Sequence, residues 1–168
     1  MTQLGFFGEP DDTLARERAR LLVQRKTNAG AICGACDQRV KEYHRPLNAG
    51  QARMLIFIYM ETRDSSLPSY IHVTHSAPAA LLSSHDWMGL HYWGFIESST
   101  EKVKTGASTS GKWSITPLGR CVVENPDGQI YSHSNIYNGE CLGLDGDGTL
   151  RIALGKEFDY AELMRGTE

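Results

Sequence analysis

Two cysteines three residues apart, Cys33-Gly-Ala-Cys36, are the residues of this chain most suited to chemistry. The spacing sets two thiolates on one tight turn, as a tetrahedral zinc ion requires. Gly34 permits the turn. One such pair supplies half of a zinc site. The other donors must come from His44, His72, His75, His85, His91, Cys121 or Cys141. His44 lies eight residues past Cys36 and is the nearest, so Cys33, Cys36 and His44 are the expected ligands of a structural zinc. The competing reading is two small thiols at a turn. A thioredoxin-like redox pair would open a helix directly after a strand, and the flanks here do not suit that. Cys121 and Cys141 read as core or surface thiols.

His133-Ser-Asn135, taken with the cysteine pair, invites a metal-dependent nuclease of the His-Asn-His type, but the spacing fits it poorly and His133 reads as a surface residue of a strand. LDGDGT (residues 144–149) resembles the start of a calcium loop. The twelfth position is Lys156, where a bidentate glutamate is needed, so it reads as a turn. There is no phosphate-binding glycine loop, no Gly-x-Ser-x-Gly and no His-Glu-x-x-His. A binding protein is therefore expected ahead of an enzyme.

The elements that must position these residues follow from patterning. Asp11 and Asp12 cap a helix over residues 13–27 whose acidic start and basic end suit its dipole. Asn48 with Gln51 forms a capping-box variant, and Ala52, Leu55, Ile56 and Tyr59 recur at helical spacing, predicting a core helix. A strand is expected at residues 70–73, which would send His72 and His75 to opposite faces. Short helices follow over residues 79–82 and 84–93, then a strand from Phe95, a polar tip over residues 98–112 and a returning strand at 113–115. Thr116 before Pro117 caps another short helix. Asn138-Gly139 closes a hairpin. Thr149 to Ile152 could add a strand, and Asp159 with Glu162 opens a last helix.

From residue 47 to 124 this order is that of a winged helix-turn-helix. HYWGFIESS, a polar loop and GKWSITPLGR (residues 91–120) resemble the strand, wing and Leu-Thr-x-x-Gly segment of winged-helix regulators of the multiple-antibiotic-resistance type. The whole arrangement is also similar to small bacteriophage and prophage proteins that carry a Cys-x-x-Cys knuckle. The resemblance implies an α+β fold: an N-terminal helix (11–30), the knuckle (31–46), a winged-helix core (47–125), and a C-terminal hairpin with a short helix (126–168), all in one domain. It places residues 84–93 as the recognition helix, with Ser83, Ser84, His85 and His91 toward base edges. Lys102, Lys104 and Lys112 then belong to the wing. Arg39, Lys41 and Arg45, with Arg16 to Lys26 and Arg53, would neutralise phosphate. The recognition position departs from the family: it holds no Arg, Lys or Asn, and it carries Asp86. Trp87, Leu90 and Trp93 within it read as core.

The net charge is −3, unevenly placed. Residues 1–60 hold nine Lys/Arg against six Asp/Glu, and residues 61–168 hold eight against fourteen. A basic front half suits an anionic partner such as double-stranded DNA, and an acidic back half suits a protein partner. The longest apolar run, residues 54–60, cannot span a bilayer. The start, MTQLGFFGEPDD, has neither a basic region nor an apolar signal core, so the expected location is cytoplasmic, the host cytoplasm for a phage-encoded chain. A homodimer through the helix at 13–27 is compatible with this reading. The functional expectation is a DNA-binding accessory or regulatory protein. The alternatives are a protein-interaction module and, third, a metal-dependent nuclease.

Overall fold

A computed structural model describes residues 12–27, 29–63, 69–83, 85–99 and 111–165, with the backbone alone at 12–15 and 85. The central element is helix α2, Ala49–Thr62, preceded in the chain by α1, Asp12–Gln24. Asn48 starts α2 as expected. Its side chain accepts from Gln51 N at 3.0 Å, and the Gln51 side chain accepts from Asn48 N at 3.1 Å. Reciprocal capping satisfies two donors that a helix start leaves open. Ala52, Met54, Leu55 and Ile58 are fully buried. An all-apolar surround of this kind marks a helix enclosed by other elements.

The described residues also form three small sheets. Strands β1 (Ala31–Ile32) and β2 (Arg39–Val40) form a short hairpin that carries the cysteines. β4 (Ile71–His72), β5 (Ile96–Ser98) and β6 (Lys112–Ile115) form an antiparallel sheet in the order β4-β6-β5. β3 (Tyr43–Pro46), β7 (Ile130–Tyr137) and β8 (Glu140–Gly148) form the third, in the order β3-β7-β8. The turn between β7 and β8 is Asn138-Gly139, both at positive φ (50° and 80°), which is what a two-residue hairpin of this hand demands. The result is an α+β fold.

Between β4 and β5 the chain makes two single turns, α3 (Val73–Ser76) and α4 (Ala79–Leu82), and then the segment His85–Trp93. That segment is a 3₁₀ helix rather than an α-helix. Trp87, Leu90 and Trp93 are spaced by three, and 3₁₀ geometry stacks i and i+3 on one line. All three are buried, at 5%, 0% and 4% exposure. The expected core role of these side chains therefore holds, with a different helical period. Gln51 ties the segment to α2 by donating to Asp86 O at 2.8 Å.

After β6, Thr116 caps α5 (Pro117–Glu124) by accepting from Gly119 N at 3.1 Å. Gly119 is buried where α5 passes Phe95, the residue before β5. A Cβ there would sit 2.2 Å from Phe95 O, so only glycine allows the approach. After β8 come α6 (Leu150–Leu154) and α7 (Tyr160–Arg165). Leu150 and Leu154 are fully buried against the α2 core.

Three local expectations are corrected, and one strand is added. The strand at 70–73 ends at His72, and the α3 turn brings His72 and His75 together as stacked rings 3.8 Å apart instead of onto opposite faces. In place of a strand at Thr149 to Ile152, helix α6 starts at Leu150: the extended Thr149 caps it, its side chain accepting from Ile152 N at 3.1 Å. Residues 144–148 are the end of β8 rather than a turn, because Asp145 and Asp147 pair with His133 and Tyr131 across the ladder. β3 was not foreseen; Pro46 obscures it, yet proline is tolerated on an edge strand, and β3 is an edge of its sheet.

Candidate functional site: a cleft and a histidine cluster on two faces of one sheet

Alternation along β3 and β7 divides the functional side chains between the two faces of the β3-β7-β8 sheet. Tyr43, Arg45, Ser134 and Ile136 face the 3₁₀ helix. They line a cleft of about 660 Å³ together with Asn48, Gln51, Asp86, His91, Tyr92, Trp113 and Asn138. The cleft walls are fixed. Tyr92 Oη donates to Gly139 O at 3.1 Å, and Trp93 Nε1 donates to Tyr131 O at 2.9 Å. These bonds dock the 3₁₀ helix on the C-terminal hairpin. Trp113 meets Trp87 edge-on at 5.6 Å. His91 is exposed and packs on Tyr92 at 4.0 Å, with Nδ1 held at Met88 O. The Arg45 guanidinium lies 5.5 Å from the centroid of the Tyr43 ring, and Lys41 Nζ 5.4 Å from it. Ser134 is completely buried on the cleft wall, and its hydroxyl has no hydrogen-bond partner among the described residues. A buried hydroxyl left in this state is an exception among buried polar groups.

The opposite face carries His44, His133, Asn135 and Asp145. His44 Nε2 is 2.7 Å from Asp145 Oδ1. Asn135 Nδ2 donates to Asp145 Oδ2 at 2.7 Å. The His44 and His133 rings stack at 4.0 Å, with planes 5° apart. The Asn135 amide, followed by the His44 ring, holds the Asp145 carboxyl below the usual carboxylate range. Sequence patterning named His44 and His133 separately. It missed Asp145, which it assigned to a turn, and it could not show that β3 brings His44 to β7. The usable signal was the period-2 alternation of His133, Asn135 and Asp145 about the Asn138-Gly139 turn.

Cys33 and Cys36 lie on the turn between β1 and β2, Cys33 half-buried and Cys36 exposed. The backbone N–H of Ala35, then the Cys36 side chain and its N–H, hold the Cys33 thiol below its ordinary value. Hydrogen bonds aimed at a sulfur in this way suit a thiolate. Glu17 of α1 sits beside this turn. Its carboxylate accepts from Arg20, which holds its pKa at about 2, and from Gly34 N at 3.3 Å. Among the described residues, the only group of three or more metal-ligating side chains is His44, His133 and Asp145. His44 is thus not brought to the cysteine pair, because strand pairing with β7 holds it elsewhere.

The residues expected to touch nucleic acid are scattered unequally. Arg45 and His91 share the cleft. Arg39 is on β2, where its guanidinium donates to Ala29 O at 2.7 Å. Lys41 is beside Tyr43, and Lys112 opens β6, exposed. Ser83 is exposed, and its hydroxyl donates to Ala80 O. Ser84, Lys102 and Lys104 lie outside the described residues, as does the side chain of His85. No helix among the described residues is long and apolar enough to cross a membrane. No protein-family model, curated protein or solved structure matches the chain.

Proposed function

We propose that this chain is a non-enzymatic DNA-binding accessory protein with a winged-helix core, and that it takes DNA at the cleft between the 3₁₀ helix and the β3-β7-β8 sheet. One observation carries the reading: Arg45 and His91, two residues marked for nucleic acid by the sequence, meet in one cleft with Tyr43, Tyr92 and Trp113. The Arg45 guanidinium neutralises phosphate, and the aromatic side chains give the cleft apolar walls against sugar and base edges. The strand order β4-β6-β5 supports the core assignment, since a winged helix pairs its first strand with its third. The close approach of Gly119 to Phe95 O gives the Ile-Thr-x-x-Gly segment a packing reason of its own.

Binding of a fluorescent duplex and of the matching single strand, followed across salt, tests the proposal. Affinity should fall steeply with salt, and Arg45→Ala should weaken both the affinity and the salt slope by about one phosphate contact. Salt-insensitive binding, or none at low salt, would sink it.

A second reading, a protein-interaction module, has its own observation. Leu118 and Tyr131 are 53% and 56% exposed, and they line a groove of about 540 Å³ with Phe95, Ile130 and Leu144. A duplex result that is negative at low salt transfers the weight to this groove.

A further inference from the structure

Three strands deliver one metal-ligating side chain each to the outer face of the β3-β7-β8 sheet. His133 on β7 stands opposite Asp145 on β8. His44 on β3 stands opposite Asn135, two residues from His133 and on the same face. One donor atom from each of His44, His133 and Asp145 lies within 4.8 Å of the other two.

We infer that these three residues bind a divalent first-row transition ion of the zinc type, with two imidazoles and one carboxylate as ligands and the fourth position left to water. The donor set suits such an ion: imidazole nitrogen and carboxylate oxygen are its ordinary ligands. Calcium and magnesium would demand more oxygens. An ion pair alone accounts for His44 against Asp145. It does not account for a second imidazole stacked on the first at 4.0 Å.

The neighbours hold the ligands as metal sites require. Asn135 occupies Asp145 Oδ2 and leaves Oδ1 toward the histidines. Ser132 Oγ lies 2.9 Å from His133 Nδ1 and leaves Nε2 as the ring's free donor. The face is accessible: His44 and Asp145 side chains are 54% and 49% exposed, and a Cβ on Gly143, the residue opposite Asn135, would meet nothing within 4 Å. Tetrahedral ligands about 2.1 Å from zinc stand ~3.4 Å apart. Loading therefore turns the two parallel rings apart and replaces the hydrogen bond between His44 and Asp145 with the ion. None of these residues lines the DNA cleft, so this inference stands apart from the proposed function.

The experiment uses the full chain as a Cys33→Ser/Cys36→Ser double variant, which removes the cysteine pair as a competing site. Cobalt(II) is titrated with visible absorption as the readout, and zinc by calorimetry, with bound metal counted by elemental analysis. The expected result is one ion per chain, with cobalt d–d bands and no thiolate charge-transfer band. His133→Gln, chosen to keep a polar side chain of similar length, should weaken binding by about 100-fold or more, and Asn135→Ala by about 10–100-fold. Circular dichroism confirms that each variant is folded. No binding at millimolar metal, or binding that His133→Gln and Asp145→Asn leave unchanged, overturns the inference.

Discussion

Replacing Gly119 with alanine should unfold the protein more easily, although alanine is the better helix former. The helix propensity term favours alanine by about 1 kcal/mol. The added Cβ would lie 2.2 Å from Phe95 O, 2.8 Å from Ile115 Cγ1 and 3.0 Å from Phe95 C. Two of these three atoms are backbone or its carbonyl oxygen, which cannot rotate away. Helix α5 must then retreat by about 1 Å to restore van der Waals contact. That retreat stretches the bond from Thr116 N to Phe95 O, now 3.0 Å, and the bond from Thr116 Oγ1 to Gly94 O, now 2.6 Å. Each is worth about 1 kcal/mol, and overpacking of a tight contact costs about 1–3 kcal/mol more. The net loss after the propensity gain is about 2–4 kcal/mol. For a chain of this size that lowers Tm by about 5–15 °C. Thermal unfolding followed by far-ultraviolet circular dichroism reads it. Gly143→Ala is the control, since its Cβ meets nothing, and it should leave Tm within about 2 °C. A Gly119→Ala protein as stable as the parent would refute the close-approach account and remove the packing reason offered for the Ile-Thr-x-x-Gly segment.

Further outcomes follow from other contacts. Asn48→Ala removes the cap of α2 and should cost about 1 kcal/mol in chemical denaturation; an unchanged midpoint would contradict the cap. Trp93→Phe removes part of a buried side chain as well as the bond to Tyr131 O, so a loss of about 2–3 kcal/mol is expected together with looser docking of the hairpin, read as faster amide exchange at Tyr131 and its neighbours. Alkylation of Cys33 should show a midpoint pH below the ordinary thiol value of about 8.5; a midpoint at or above it would contradict the hydrogen bonds to its sulfur. Glu17 is bound to Arg20 and Gly34, so its folded pKa is lowered to about 2. Its contribution to stability is present above the unfolded carboxylate pKa and is lost as pH falls toward 2. Titration of its side-chain carbon resonance by NMR, with Arg20→Ala raising the midpoint, checks this.

Local capping chemistry was legible in advance because it is written in short-range spacing. Asn48 with Gln51, Thr116 before Pro117, and Asn138-Gly139 each act on their own backbone, and each stands where patterning placed it. Tertiary pairing was not legible. β3 is four residues with a proline, and only its partner β7 makes it a strand. Thr149 belongs to a helix because Leu150 and Leu154 find the core, a choice no local preference decides. The helical period of residues 85–93 was present in the spacing of Trp87, Leu90 and Trp93, but a period of three is easily taken for 3.6 over nine residues. The cleft was half visible: Arg45 and His91 were named, whereas Tyr43, Tyr92 and Ser134 reach it only through the docking of the hairpin on the 3₁₀ helix. The histidine cluster depends on register across three strands, and register is fixed by which face is buried.

The most direct measurement on the central proposal is a two-dimensional NMR titration of the labelled protein with a short DNA duplex at low salt, then at high salt. The cleft account predicts shift changes concentrated on Tyr43, Arg45, His91, Tyr92 and the Trp113 indole, which collapse when salt is added. Changes confined to the groove at Leu118 and Tyr131, or no changes at low salt, would contradict it.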